Sequence, residues 1–502
     1  MKNLILFVFI LALFSCNRND QMPSNLGEVS IEISGKPKAA EQFEKGLLLL
    51  HSFEYQDARE AFREAQEIDP DMAMAYWGEA MTYNHSLWSE QDYDLALPVL
   101  ERLEKLDYTS TCNELELDMI QGLKILYQPQ TDKLVRDQNY KDHMEDLYKK
   151  YPNNHEVAAF YALSLLGSVP EGRDDEIYGQ GAVIAQGIIA ENPNHPGALH
   201  YLIHSYDDPK HASLALDAAD AYLVVAPDAS HALHMPSHIY VAMGMWDEVV
   251  SSNIASYEAS LKRMDRKGLD NDARGYHAFH WLEYGYLQQG EKHKAADMVW
   301  EMQKFAEETP SPRARVHMVF LKGTYLVETD EWDSNIAEIP VNTSDLNISI
   351  RSQNLFIEGM KAFHKKDEAK LDSLVSQAQN DINRENFVVQ SGKAKLCSNV
   401  SRADATSGDI LEAEVRKEQL LALAAWLDAD ADLTETHLQN SIEKFSELSY
   451  SYGPPHIQKP VHELYADWLM EQGRTKEAKE QYEHTLTIGP KRLRPTQAKE
   501  SI

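Results

Sequence analysis

The residues best suited to chemistry in this sequence are histidines that crowd one fifth of the chain. Ten of its 20 histidines lie between residues 195 and 293. Six of these form three closely spaced pairs: His200, His204, His234, His238, His277 and His280. The first two pairs are spaced i, i+4 and are offset by 34 residues, whereas the third pair is spaced i, i+3. Such spacing puts both side chains of a pair on one face of a helix.

These pairs have the residue type and spacing of a metal site. Neutral imidazole is a good ligand for Zn, Cu, Fe or Ni. If the helices stack about 8–10 Å apart, four imidazoles in register can reach one small volume. Four histidines close a structural site, while three plus a water leave a reactive position. The pattern predicts a Zn, Cu or Fe ion, and Asp207 and Glu283 are candidates to orient the rings.

A purely structural role is the alternative for the same histidines. An imidazole can donate to a backbone or tyrosine oxygen and fill space between helices, and Tyr201 and Tyr240 are close in sequence. The glutamate that makes HExxH a zinc-protease motif is absent, because residues 201–203 are Tyr-Leu-Ile and residues 235–237 are Met-Pro-Ser. The sequence therefore does not decide whether the protein is an enzyme.

Pro236 complicates the second pair. Proline is tolerated in the first turn of a helix but removes a hydrogen bond inside one. We therefore expect a helix to begin near Ser237, with His231 and His234 on the loop before it. That arrangement would loosen a cluster of four imidazoles.

The elements that carry these residues have the pattern of a helical repeat. Ala58, Phe62 and Ala65 share one helical face, and Pro70 follows them. This order of small, aromatic and small residues before a proline resembles the second helix of a tetratricopeptide (TPR) unit. No long strand pattern appears. The predicted class is all-α, a TPR-like superhelical array of antiparallel helix pairs.

In such an array the first helix of each pair lines the concave surface, where function usually resides. Histidines near the ends of the first two such helices are also 34 residues apart. The residues predicted to line this groove, besides the six histidines, are His51, His85, Tyr201, Tyr240 and Glu283.

The N-terminus predicts export and a lipid anchor. The apolar run from Leu4 to Phe14 is shorter than the roughly 20 residues of a membrane span and fits a secretory signal. Its end, Leu13-Phe14-Ser15-Cys16, resembles a bacterial lipobox, which implies cleavage before Cys16 and acylation of its thiol. Asn17, in place of aspartate, favours the outer membrane. An ordinary signal peptide with an incidental cysteine is the alternative.

Shifts in amino-acid composition divide the chain into five predicted segments. The predicted organisation is a signal peptide at 1–16, a flexible tether at 17–38, an N-terminal array at 39–330, a linker at 331–352 and a C-terminal helical block at 353–502.

Charge limits the partners. The formal net charge of −32, from 80 acidic and 48 basic residues, repels phosphate backbones, so no nucleic-acid partner is expected. Cations, basic peptides and neutral molecules are the partners compatible with this charge.

Three motifs resemble a group of bacterial TPR proteins: Ala-Met-Ala-Tyr-Trp-Gly at 73–78, His-Met-Pro-Ser-His-Ile at 234–239 and Lys-Pro-Val-His-Glu-Leu at 459–464. The resemblance covers most of residues 40–490. It implies the TPR fold and the binding of a peptide or protein in the groove, but no reaction. The leading prediction is a lipid-anchored scaffold in the cell envelope, with an accessory role in polysaccharide uptake as one context for it. The second is a metal-binding protein or metal-dependent enzyme.

Overall fold

The computed structural model describes residues 25–170, 172–390 and 404–502, and these ranges are predominantly helical, as the sequence predicts. The helices are α1 Pro37–His51, α2 Tyr55–Ile68, α3 Ala73–Met81, α4 Tyr93–Leu103, α5 Tyr108–Thr111, α6 Glu114–Leu126, α7 Lys133–Lys150, α8 His155–Gly167, α9 Asp175–Glu191, α10 Pro196–Tyr206, α11 Leu216–Val225, α12 Ser230–His234, α13 Pro236–Met243, α14 Trp246–Lys267, α15 Tyr276–Gln288, α16 Lys292–Glu308, α17 Pro312–Thr329, α18 Ile348–His364, α19 Glu368–Gln390, α20 Ser407–Leu427, α21 Ala431–Ser446, α22 Val461–Glu471, α23 Thr475–Ile488 and α24 Leu493–Glu500. Two short strands, β1 Asn84–His85 and β2 Glu90–Gln91, pair antiparallel as a small hairpin that the sequence does not predict.

Consecutive helices pack as pairs, and neighbouring pairs stack on one another. The pairs are α1/α2, α3/α4, α6/α7, α8/α9, α10/α11, α15/α16, α18/α19, α20/α21 and α22/α23. One further pair has its first helix divided at Pro236 into α12 and α13, which both pack on α14. Each pair buries its apolar faces against its neighbours, as a repeat array requires.

Close packing at the first pair depends on two glycines around one phenyl ring. Phe62 of α2 is fully buried. A β-carbon built on Gly46 of α1 would lie 2.7 Å from this ring, and one on Gly78 of α3 only 2.3 Å from it. The missing side chains let α1 and α3 close on the ring from both sides. Trp77 and Tyr482, which the repeat pattern assigns to packing between helices, are both buried.

The segment expected to be a flexible tether lies against the array from residue 25 onward. Leu26 is buried, and the Glu28 amide donates to the carbonyl of Asn194 at 2.9 Å. The backbone N–H and the hydroxyl of Ser34 both donate to the buried carboxylate of Glu116, each at 2.6 Å. A polar sequence is ordered here because it satisfies a buried acceptor. The predicted signal peptide, Cys16 and the rest of the tether lie outside the described residues.

The segment expected to be a linker is irregular only as far as Asn347, because α18 begins at Ile348. It is not an exposed connection: Trp332, Ile336 and Leu346 are buried in a core shared with helices on both sides. The segment follows α17 where a second helix would otherwise stand. Its polar and proline residues prevent a helix, while its few apolar residues still fill the core.

The C-terminal part of the chain returns to the N-terminal array. Arg492 is fully buried and pairs with Glu328 at 2.5 Å and Glu463 at 2.8 Å. The Leu493 amide donates to Gln288 of α15 at 2.8 Å. These contacts hold the end of the array against its middle.

Residues 447–460, here called the covering loop, connect α21 to α22. They pack on the face formed by α10, α13 and α15, here called the inner wall. Gln458 donates to the carbonyl of Phe320 at 2.8 Å. A β-carbon on Gly453 would lie 2.2 Å from the ring of Trp281, so only glycine permits this approach. A segment of the chain itself thus occupies the groove that is predicted to bind a peptide or protein. Within the described ranges, no helix combines the length and the apolarity that crossing a membrane would require.

Replacing Gly78 with alanine tests the role of the Phe62 contact. The added methyl group overpacks the core, so we expect the free energy of unfolding to fall by about 1–3 kcal/mol. Gly187→Ala is the matched control, because a β-carbon added to Gly187 of α9 would meet no atom of the described residues within 4 Å. That substitution should raise stability by roughly 0.5–1 kcal/mol. Chemical denaturation measures both changes. Equal changes in the free energy of unfolding for Gly78→Ala and Gly187→Ala would contradict a packing role for Gly78.

Candidate metal centre

Five of the six predicted histidines line one continuous row on the inner wall. The row is carried by α10, α12, α13 and α15. Adjacent rings have centroids 4.8 Å apart for His200 and His204, 5.6 Å for His204 and His238, 5.1 Å for His238 and His234, and 4.6 Å for His234 and His277. The 34-residue offset therefore does place the first two pairs side by side.

The structure adds His231 to this row. Its ring lies 5.1 Å from that of His200 and 6.2 Å from that of His234. His231 stands at i−3 from His234, so the same helical spacing that singled out the other pairs could have identified it. Pro236 does not break the row, because it occupies the first position of α13 and α12 ends at His234, immediately before Met235.

Two groups of three histidines follow from these positions. The first triad is His200, His204 and His231, in which one ring nitrogen from each residue lies within 4.8 Å of the others. The second triad is His234, His238 and His277, which meets the same limit.

The first triad has buried ring nitrogens without hydrogen-bond partners in the described residues. The Nε2 atoms of His200, His204 and His231 are buried and have no hydrogen-bond partner in the described part of the chain. Nδ1 of His200 lies 2.7 Å from the carbonyl oxygen of His51, which can only accept. The Nδ1 atom of His200 must therefore carry the proton, and Nε2 keeps an unshared lone pair.

Asp207 connects the two triads. This residue caps the C-terminus of α10 and is buried. Its Oδ2 atom lies 3.1 Å from Nδ1 of His238 and 3.5 Å from Nδ1 of His204, so one carboxylate orients a ring in each triad. Arg173 stands 3.5 Å from the other oxygen. Burial raises the pKa of Asp207 above 3.8, although His204 and Arg173 oppose the shift.

Burial keeps these imidazoles in the form that binds metals. Desolvation lowers the pKa of His200 and His231 well below 6.5, and neighbouring histidines lower it further. It lowers the pKa of His234 to about 4. The rings of His200, His231 and His234 are therefore neutral at neutral pH.

His280 does not belong to the centre, contrary to the sequence prediction. Its Nε2 atom is 3.0 Å from the hydroxyl of Thr324 on α17, and its ring stacks on Phe320 at 5.4 Å. These contacts direct His280 away from His277 and toward the next helix pair. Glu283 does not orient a ligand either: it is fully buried, and both of its oxygens lack a partner among the described residues.

Most residues predicted to line the groove lie inside the array instead. Tyr201, Tyr240 and Glu283 are buried, and His85 is only half-buried against the ring of Tyr55. The Tyr240 hydroxyl donates to Asp220 at 2.6 Å. First helices are covered on several sides, so only part of each faces the groove.

His51 shows what a structural histidine looks like in this protein. It is fully buried, with Nε2 at 2.7 Å from Glu156 and Nδ1 at 2.9 Å from the Tyr201 hydroxyl. His195 binds the other oxygen of Glu156 at 3.1 Å and accepts from the amide of Ala198. Burial alone would raise the pKa of Glu156, but His195 and His51 outweigh it and hold that pKa below its usual value. Every ring nitrogen of His51 and His195 has a partner, whereas the Nε2 atoms of the first triad have none in the described residues.

Aromatic side chains enclose the two triads. Phe53 lies 4.3 Å from His200 and 5.8 Å from His231 between ring centroids. Tyr452 of the covering loop lies 4.6 Å from His238. A cavity of about 250 Å³, lined by Val241, Tyr284 and the covering loop, opens one helical turn farther along α13 and α15.

Comparison with known proteins gives no functional assignment. No protein-family model matches the chain, and no curated protein matches it in sequence. Solved structures that are similar in part include the Cut9–Hcn1 hetero-tetramer of APC/C (12% identity over 92% of this chain and 76% of that one, TM-score 0.38). Others are yeast Tom70 (12%, 92% and 95%, TM-score 0.33) and a human IFIT1 dimer with m7Gppp-AAAA (12%, 93% and 81%, TM-score 0.34). Matches this distant carry no argument about what this chain binds.

The position of His280 predicts a pH effect on the metal-free protein. Desolvation lowers its pKa from 6.5 to about 3, so between these values the unfolded chain binds a proton that the folded chain does not. Stability is therefore lost as the pH falls below 6.5. Between pH 7.5 and 5, His280→Gln should lose about 2 kcal/mol less unfolding free energy than the wild type. The unfolding free energy of both proteins is measured by urea titration at each pH. If it falls equally in the wild type and His280→Gln, His280 is not buried in its neutral form.

Proposed function

We propose that this protein binds a first-row transition-metal ion of the zinc class through His200, His204 and His231, and that the ion is its functional centre. The observation that carries the proposal is that the Nε2 atoms of all three histidines are buried and unpartnered within the described residues. One ring nitrogen from each of these residues lies within 4.8 Å of the others. The ion would lie on the inner wall of the helical array.

A structural role for the first triad is disfavoured by its energetics. Leaving a buried polar atom unpaired costs about 1–3 kcal/mol, and the first triad holds three such atoms. The group around His51 and Glu156 shows that the fold can satisfy buried imidazoles with its own residues. A cation bound by unprotonated ring nitrogens would supply the missing partner.

The geometry requires only a small adjustment. Two ligands on a tetrahedral zinc ion at 2.0–2.1 Å stand about 3.3 Å apart, so ring nitrogens up to 4.8 Å apart must move inward by roughly 1 Å. Three imidazoles leave one position for water or another ligand. An ion with such an open position can acidify bound water or polarise a carbonyl, which is the chemistry of a metal-dependent enzyme.

Zinc content tests this proposal. We expect metal-free protein reconstituted with Zn²⁺ and freed of excess ion to retain zinc, and His231→Ala to lose one equivalent relative to the wild type. His280→Ala is the matched control, because this histidine belongs to the same sequence ladder but contacts Thr324 instead. It should retain the wild-type content.

Stability provides a second readout. Zn²⁺ at about 100 times its dissociation constant should stabilise the wild type by about 2.7 kcal/mol, and His231→Ala by less. A wild type that retains no zinc, or a His231→Ala variant with unchanged zinc content, would contradict the proposal.

The fold class keeps a protein partner as a second candidate, as the sequence predicts for a scaffold. The covering loop disfavours the inner wall as its docking surface, since Tyr452 and Gly453 already pack there against His238 and Trp281. A peptide in this groove would have to displace the loop. For this reason a protein partner, with or without a role in polysaccharide uptake, is the second candidate function and the metal site is the first.

We further propose that the protein is a lipoprotein of the cell envelope, anchored through Cys16. The lipobox-like sequence at 13–16 supports this. Outer-membrane placement rests on Asn17 alone.

Substituting Cys16 tests the anchor. In bacterial cells, Cys16→Ser should remain unprocessed or move from the membrane to the soluble fraction, because no thiol is available for acylation. Incorporation of labelled fatty acid should be lost with it. Cys112→Ser is the control and should fractionate as the wild type does. Identical fractionation of wild type and Cys16→Ser, without label in either, would rule out lipidation.

A further inference from the structure

We infer that the second triad, His234, His238 and His277, binds its own metal ion, so that the inner wall holds a pair of neighbouring ions. This goes beyond the single ion proposed above and does not depend on it, because it rests on different residues. The ligand class is a first-row ion that accepts neutral imidazole.

The hydrogen bonds of His234 fix its tautomer. Its Nδ1 atom lies 2.7 Å from Oδ1 of Asn253. The Asn253 amide nitrogen donates to the carbonyl of Val249 at 2.8 Å, so the amide orientation is fixed and Oδ1 must accept. The nearby Ser237 hydroxyl gives its hydrogen to the carbonyl of His234. Nδ1 of His234 therefore carries the proton, and its Nε2 is a lone-pair acceptor.

The same reasoning applies to His238. Its Nδ1 atom faces the carboxylate of Asp207 at 3.1 Å, and an ionised carboxylate can only accept. The proton of His238 is therefore also on Nδ1. Both rings present the unprotonated Nε2 atom toward the inside of the row.

These two Nε2 atoms are only 3.2 Å apart. With both protons on Nδ1, no hydrogen remains for a bond between them, and two lone pairs would face each other in a buried place. The separation is close to the roughly 3.3 Å between two nitrogens on one tetrahedral zinc ion. A shared cation resolves the repulsion without moving either ring.

His277 completes the triad from the next helix pair. Its ligand atom lies within 4.8 Å of those of His234 and His238, and its ring stands 4.6 Å from that of His234. His277 is exposed whereas the other two are buried, so it gives the ion a route from solvent. Three protein ligands again leave a position for a substrate atom.

The two ions would be close neighbours. Ring centroids in different triads are 5.6 Å apart for His204 and His238, little more than the 4.8 Å and 5.1 Å found within the triads. Asp207 contacts one ligand of each triad and acts as a shared positioning residue. Paired ions that stand close together can clamp an oxygen-containing substrate between them.

Counting bound Zn²⁺ in reconstituted full-length protein tests the inference. The wild type should retain two equivalents, and His277→Ala should retain one. His277→Gln is a second variant that keeps a polar side chain at this exposed position, and it should also lose one equivalent. Exposed His293 provides the matched control, and His293→Ala should retain two. Asp207→Asn should weaken both sites about 10–100-fold.

The outcomes separate the two metal sites. Two equivalents in both His277 variants, or a single wild-type equivalent that only His231→Ala removes, would overturn the second site and leave the first intact. A single equivalent removed by His277→Ala but not by His231→Ala would support the second triad and refute the first. A wild type without zinc would refute both.

Discussion

The stacking of first helices along the inner wall is the constraint on which the centre depends. A helix pair in this array buries its core only against its neighbours, so α10, α12, α13 and α15 are fixed side by side. Their inward histidines are then desolvated and must find partners from adjacent elements. Those partners are a backbone carbonyl at the end of α1, the cap of α10 and an amide on α14: His51, Asp207 and Asn253.

All three partners accept hydrogen bonds from Nδ1. Each therefore fixes the proton on the same ring nitrogen and leaves Nε2 without one, toward the inside of the row. Burial adds to this effect by lowering the pKa of His200, His231 and His238 well below 6.5. Packing, hydrogen bonding and desolvation thus act together to collect lone pairs in one enclosed place.

The sequence predicts much of the fold because the repeat pattern is local. The helix pairs, the buried Trp77 and Tyr482 and the side-by-side placement of His204 and His238 all follow from spacing along one or two neighbouring units. Pro236 changes the chain less than the sequence predicts, because His231 and His234 lie on the short helix α12 and not on a loop. Met235 keeps helical dihedral angles, φ −52° and ψ −39°, so α13 continues close to the direction of α12.

Features that depend on distant contacts could not be predicted in this way. Nothing near Tyr452 or Gly453 in the sequence indicates that they pack on α13 and α15. The departure of His280 depends on Thr324, which lies on α17. The buried positions of Tyr201 and Glu283 depend likewise on which neighbouring helices cover them, which helical periodicity alone does not give.

The most direct test of the central claim is the location of bound metal. Anomalous diffraction from crystals of the zinc-loaded protein, recorded above the zinc absorption edge, shows where each ion lies. We expect an anomalous peak bounded by His200, His204 and His231, with each Nε2 about 2.0–2.1 Å from the ion. Anomalous peaks only at exposed carboxylates or at the protein surface, with none on the inner wall, would contradict it.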